Sequence, residues 1–149
     1  MKVYGYCRIS TSKQSMERQI RNIKLAYPDA VIVKETYTGT KIQGRKEFEK
    51  LLKIVSTGDT LVFDSVSRMS RTAQEGYEMY QKLYNQGVSL VFLKEPHINT
   101  STYQQAMENQ LSVNVKTGDQ ASEELLSGIF GALNRYMLNL AKRQIQLAF

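Results

Sequence analysis

Four short apolar runs alternate with three amphipathic segments along the first hundred residues, and this alternation limits the fold more than any other property of the chain. Val3–Cys7, Ala30–Lys34, Thr60–Phe63 and Val88–Leu93 read as strands, the first of them stopping abruptly at Arg8. Between them, Met16, Ile20, Ile23 and Tyr27 recur at i, i+4, i+7 and i+11, and Phe48, Leu51, Leu52 and Val55 at i, i+3, i+4 and i+7. Gly58 is placed to end the second helix, and Gly87 to end a third whose apolar face is Ala73, Tyr77, Tyr80, Leu83 and Tyr84. The order β-α-β-α-β-α-β predicts an α/β fold: a four-stranded, mainly parallel sheet with right-handed crossovers and helices on both faces.

Past Pro96 the pattern changes. Residues 101–121 read as a connection with a short helix, and residues 122–149 as the start of one long helix. Its stripe is Leu126, Ile129, Leu133, Tyr136 or Met137, Leu140 and Leu147. At 1.5 Å per residue such a helix runs to roughly 40 Å, more than so small a sheet can cover. Part of the stripe is therefore expected to meet another subunit, with Gly128 and Gly131 marking a close backbone approach. The competing expectation is a terminal helix folded wholly on its own domain.

A chain of 149 residues with 42% hydrophobic residues and two prolines suits one domain with a genuine core over residues 1–100. The single cysteine, Cys7, sits in an apolar strand and reads as a buried hydrophobe. No signal-peptide pattern opens the sequence and no apolar run approaches membrane-spanning length, so a cytoplasmic protein with no membrane contact is expected. A net charge of +6 favours polyanionic partners.

The chemistry-bearing residues gather where strands end. In an open α/β sheet ligands collect at the carboxyl ends of the strands. Ser10 falls there, with Arg8 two residues earlier, a pairing suited to holding a phosphate against a serine nucleophile. A plainer reading makes Ser10-Thr11-Ser12 a helix N-cap, with Thr11 and Gln14 at capping-box spacing. The third strand runs into Asp64-Ser65-Val66-Ser67-Arg68-Met69-Ser70-Arg71, and the loop from Glu35 to Gly44 ends in Arg45. Arg8, Arg45 and Arg68 thus all fall at or beyond strand ends, where planar guanidinium forks can converge on one anion. There is no P-loop, GxGxxG or CxxC, and His97 stands alone beside a proline. Neither a metal site nor a Ser-His-Asp triad is expected, and no cofactor.

These motifs, Tyr6-Cys7-Arg8-Ile9-Ser10-Thr11 with Gln14 and Gln19, then Gly39 to Arg45, then Asp64 to Arg71, resemble the catalytic domain of the serine recombinases, the resolvase/invertase family. The resemblance implies a flavodoxin-like, resolvase-type sheet followed by a long oligomerisation helix. It implies that Ser10 attacks a DNA phosphodiester and forms a covalent 5′-phosphoserine link. Arg8, Arg45 and Arg68 would bind the scissile phosphate, and Asp64 would assist near the leaving oxygen. Tyr6, Gln14, Gln19 and Arg71 would support the pocket or contact DNA phosphate. The implied partners are double-stranded DNA and further copies of the chain, as dimer and tetramer through the terminal helix.

Two departures from the family pattern stand out: Ser65 where a basic residue usually follows the aspartate, and a terminal helix lacking the usual acidic-plus-arginine pair. No DNA-reading module follows within these residues, so a separate recognition part is expected elsewhere. The rival from another class is a non-catalytic flavodoxin-like domain whose Ser and Arg residues only bind an anion. A third is a hydrolase of small phosphoesters.

Overall fold

The computed structural model describes residues 1–11, 15–39, 42–105 and 120–149. Strands β1 (Val3–Ile9), β2 (Val31–Thr36), β3 (Thr60–Phe63) and β4 (Ser89–Phe92) form one sheet in the order β2-β1-β3-β4, every adjacent pair parallel. Helices α1 (Glu17–Ala26), α2 (Lys46–Ile54), α3 (Val66–Met69) and α4 (Ala73–Asn85) follow the strands, and α5 (Gln120–Leu147) closes the chain. The expected four-stranded parallel sheet is the one observed.

The two-residue period of the strands divides the core. Tyr4 and Tyr6 of β1 join Leu61, Phe63, Leu90 and Phe92 in the larger cluster, under α2, α4 and α5. Tyr6 meets Phe48 edge-on with centroids 4.8 Å apart, and Phe63 stacks on Phe92 at 5.4 Å. Cys7 and Val62 face the other way, against Ile23 of α1 and Ala30. A Cβ on Gly5 would sit 2.7 Å from the Ile23 Cγ2 methyl, so glycine is what lets α1 lie this close to the sheet.

Several boundaries move for physical reasons. β2 runs on through Glu35 and Thr36 because Arg8 and Ile9 of β1 are there to pair with them. The N-cap position of α1 is Met16 rather than Ser10 or Thr11, and Ser15 Oγ accepts from the Glu17 N–H at 3.2 Å; Ser12 lies outside the described residues. Gln14 and the connection from 106 to 119 lie outside the described residues. Gly58, at φ +92°, belongs to the turn into β3, since α2 is already capped by Val55. Gly87, at φ +79°, ends α4 as expected: its N–H donates to Tyr84 O and that of Val88 to Leu83 O, a Schellman closure. The short helix α3, within a stretch read from sequence only as a strand exit, has its first N–H capped by Glu95 Oε2 at 3.1 Å.

At 28 residues α5 is about 42 Å long, and it divides in two. Met137, Leu138, Ala141 and Ile145 are buried in the main core, and Leu140 packs against it. This corrects the expectation that Met137 and Leu140 belong to a stripe left for another subunit. Toward the N-terminus Leu125, Ile129 and Phe130 are exposed, and a Cβ at Gly128 would meet nothing within 4 Å among the described residues. Among the described residues no helix is long and apolar enough to cross a membrane.

The C-terminal half of α5 is thus part of the domain's core rather than an appendage. Ile145→Ala, at a fully buried position, should lower unfolding free energy by about 2–5 kcal/mol. Leu147→Ala, where the side chain is 79% exposed, should stay within about 0.5 kcal/mol. Urea unfolding of both variants measures the contrast.

Candidate active site

The site begins with an unequal sheet edge. β1 pairs with β3 only as far as Tyr6↔Phe63, whereas its pairing with β2 continues to Ile9↔Thr36. Arg8 therefore projects past the end of β3 with peptide groups that need other partners. The buried side-chain amide of Gln19 supplies them: the Arg8 N–H donates to Gln19 Oε1 at 3.0 Å, and Gln19 Nε2 donates to Arg8 O at 2.9 Å. Arg68 Nη1 also donates to Arg8 O, at 3.2 Å. The Arg8 guanidinium reciprocates, Nε donating to Arg68 O at 3.1 Å and Nη2 to Ser67 O at 2.6 Å. The ends of β1 and α3 are thus laced together through two arginines.

Ser10, half-buried, follows directly on the end of β1, and Arg71 Nη2 donates to its Oγ. Arg71 is aimed by a tight turn in which Ser70 Oγ donates to Thr72 O at 2.6 Å and accepts from the Thr72 N–H at 3.2 Å. Arg8, Ser10, Ser67, Arg68, Arg71 and Phe149 line a cleft of about 420 Å³. A wider hollow of about 660 Å³ lies elsewhere, lined by Met1–Tyr4, Ala26–Val31 and Ile54, and no arginine is among its lining residues.

The electrostatics of the cleft are one-sided. Burial is the main reason the Arg8 guanidinium is pushed down to about 10, with Arg45, Arg71 and Arg68 adding to the shift and only Tyr6 opposing it. None of these four arginines forms an ion pair among the described residues. Arg8 Nη1, Arg45 Nε and Arg45 Nη2 are buried without a hydrogen-bond partner among the described residues. Buried cationic donors in this condition are costly until an anion arrives.

The remaining expected residues take different places. Arg45 is not carried on a loose loop. It is fully buried at the N-cap of α2, with Nη1 donating to Met69 O at 2.5 Å and its guanidinium 5.8 Å from the Tyr37 ring centre. It reaches the site through its charge on Arg8 rather than as a wall of the cleft. Tyr6 is likewise behind the site: its hydroxyl donates to Glu35 Oε1 at 3.2 Å, and burial raises its pKa. The same carboxylate accepts from the Phe48 N–H at 3.1 Å and the Glu47 N–H at 3.3 Å, fixing the start of α2 and with it Arg45. Asp64 does not line the cleft. Buried toward α1, it accepts from Asn22 Nδ2 at 2.9 Å and pairs with Lys94 Nζ at 3.3 Å. Ser67, Glu35 and Phe149 were not foreseen. Glu35 had a signal, since it stands directly across from Arg8 once the strands are in register.

The comparisons with known proteins bear on the family and the fold. The family described as "Resolvase, N terminal domain" matches residues 3–148. A resolvase of Clostridium perfringens (strain 13 / Type A) is 30% identical over 98 residues, 65% of this chain and 51% of that protein. The transposon Tn21 resolvase of Escherichia coli is 32% identical over 107 residues, 70% of this chain and 53% of its own. The chain therefore spans about half the length of these curated relatives. Among solved structures, the N-terminal catalytic domain of TP901-1 integrase superposes with a TM-score of 0.55 at 18% identity, covering 94% of this chain and 98% of that one. A resolvase family site-specific recombinase from Streptococcus pneumoniae gives 0.53 at 23% identity, covering 97% and 94%. At these identities the structural likeness is one of fold, while the family match takes in nearly every residue: this chain belongs to the resolvase family, as its N-terminal domain.

Proposed function

We propose that this chain is the catalytic domain of a site-specific DNA recombinase in which Ser10 attacks a DNA phosphodiester and carries the 5′ end as a phosphoserine. The observation that carries the reading is a cleft in which Arg8, Arg68 and Arg71 stand with Ser10, whose hydroxyl accepts from Arg71, while Arg45 lies buried behind Arg8 and none of the four is ion-paired among the described residues. A phosphodiester gains charge on its non-bridging oxygens as the serine attacks, and fixed donors aimed at that charge are worth about 3 kcal/mol each. The covalent link conserves the phosphodiester bond for religation, so no energy source is needed. Arg8, Arg68 and Arg71 would hold the phosphate. Arg45 would add field from behind, Gln19 would set the backbone of Arg8, and Tyr6 and Asp64 would act by positioning. The names of the relatives, a transposon resolvase and a site-specific recombinase among them, favour this over a purely anion-binding domain.

The reading extends to assembly. Exchange of two duplexes needs four cleavages, hence four copies of a one-serine domain, and the exposed residues near the start of α5 offer the apolar surface for pairing.

In the full-length protein, Ser10→Ala should abolish the protein–DNA band that the parent gives with a nicked suicide duplex on a denaturing gel. Persistence of the band would put the nucleophile elsewhere. Binding of plain duplex by residues 1–149 should be weak and salt-sensitive, with log K falling against log salt at a slope of about −3 to −4 for three or four phosphate contacts. A salt-insensitive nanomolar complex would contradict a site built on arginine–phosphate pairs. Replacing both Ile129 and Leu133 with Asp should leave a folded monomer in sedimentation, whereas an unchanged oligomer would locate the interface away from α5.

A further inference from the structure

Five of the six residues that line the cleft are serines or arginines, and the sixth is Phe149. It is 48% exposed and belongs to neither core cluster, so burial does not account for its place. A single exposed aromatic is commonplace on a protein surface. One standing beside a serine and three arginines is not, because a phosphate group offers an apolar ring nothing to pack on.

The position of Phe149 is fixed by the packing behind it. It follows the last turn of α5, its N–H donating to Gln146 O at 3.3 Å, and lies four residues beyond the fully buried Ile145. A Cβ on Gly76 of α4 would sit 3.6 Å from the Ile145 Cγ2 methyl and 3.4 Å from Ser70 Cβ. Ser70 in turn makes the tight turn that aims Arg71. The end of α5 is thus carried on the same packed unit as the arginine that donates to Ser10.

A phosphate within DNA, unlike a free one, carries a nucleoside on each side. Cleavage at Ser10 would leave the 5′ nucleotide in the cleft and end the stacking between its base and the base across the break. For strands to exchange, that base must also part from its old complement. An aromatic ring gives a freed base a stacking surface whatever the base's identity. We infer that Phe149 stacks on the base of the nucleotide joined to Ser10 and holds the broken 5′ end while strands exchange. The inference rests on the phosphotransfer reading of the site given above. It makes the cleft selective for nucleotides over bare phosphate esters, the arginines taking the phosphate and the ring taking the base.

Nicked duplexes with a 5′-phosphate at the break present this end without any chemistry. Binding of the full-length protein is measured at one salt concentration to three versions: complete, abasic at the 5′ nucleotide, and lacking the 5′-phosphate. F149L keeps an apolar side chain but removes the ring, and it should bind the complete duplex about 10-fold more weakly than the parent. F149W should restore the affinity. On the abasic duplex the parent and F149L should bind alike, a result that a misfolded variant would not give. An equal loss on the complete and abasic duplexes, no loss on either, or tighter binding by F149L, as for a ring that only covers the cleft, would overturn the inference. A parent that binds equally well without the 5′-phosphate would show instead that the cleft does not hold the phosphate, and the reading of the site would fall, taking the inference with it.

Discussion

The early end of β3 is the constraint on which the site depends. Because β3 stops at Phe63 while β1 continues to Ile9, the last residues of β1 lack a strand neighbour on that side. Their backbone groups have to be paired, and the fold pairs them with side chains: both peptide groups of Arg8 with the Gln19 amide, and its carbonyl with Arg68 as well. A strand of full length at that edge would have supplied the same hydrogen bonds and closed the space that the cleft occupies. The arginines are placed by the same shortage, since Arg8 uses its own guanidinium to satisfy the carbonyls of Ser67 and Arg68. Positioning of the cationic groups and completion of the sheet are thus one set of interactions.

Much of this was legible in the sequence. The alternation of apolar runs with helical stripes gave element order, sheet type and the carboxyl edge as the place to look, because burial on both faces of a parallel sheet leaves a strong local signature. Ser10, Arg8 and Arg68 were read as neighbours from their positions at strand ends, and they do meet there. What was not legible needs register. Asp64 was grouped with the site by its place at the end of the third strand and by the motif it shares with Arg68, yet strand parity sends it the other way. Leu61 and Phe63 point to the main core, so Val62 and Asp64 point toward α1. A period of two would have given that answer had the end of β3 been known to the residue.

Arg45 illustrates a second kind of shortfall. The stretch before it has no periodic pattern, and a loop reading followed naturally. Where that stretch is described, carboxylates of distant elements hold it: Glu75 accepts from the Ile42 N–H at 2.7 Å, and Glu35 holds the first turn of α2. Such contacts depend on which element packs beside which, and residue spacing along the chain carries no trace of them. Burying a guanidinium there is tolerable only because the surrounding backbone is tied down this firmly, which in turn keeps its charge fixed beside Arg8.

The long helix shows where periodicity stops being informative altogether. Its apolar stripe continues without a break from Ile129 through Leu140, and nothing in the spacing marks a change of environment. The division comes from the length of α4. The two helices run antiparallel, Ile145 lying near Gly76, Lys142 over Tyr77 and Asn134 bonded to Tyr84, one residue short of the end of α4. Everything before Asn134 therefore extends past its neighbour, some 14 residues or about 21 Å of helix from Gln120 to Leu133. An isolated segment of that length is marginal in water, but here it propagates from a half already nucleated by packing. The projecting half keeps apolar residues, Ile129 and Phe130 among them, that helix propagation alone does not require. Their exposure among the described residues is the physical basis of the proposed pairing of that part of the helix with a second copy.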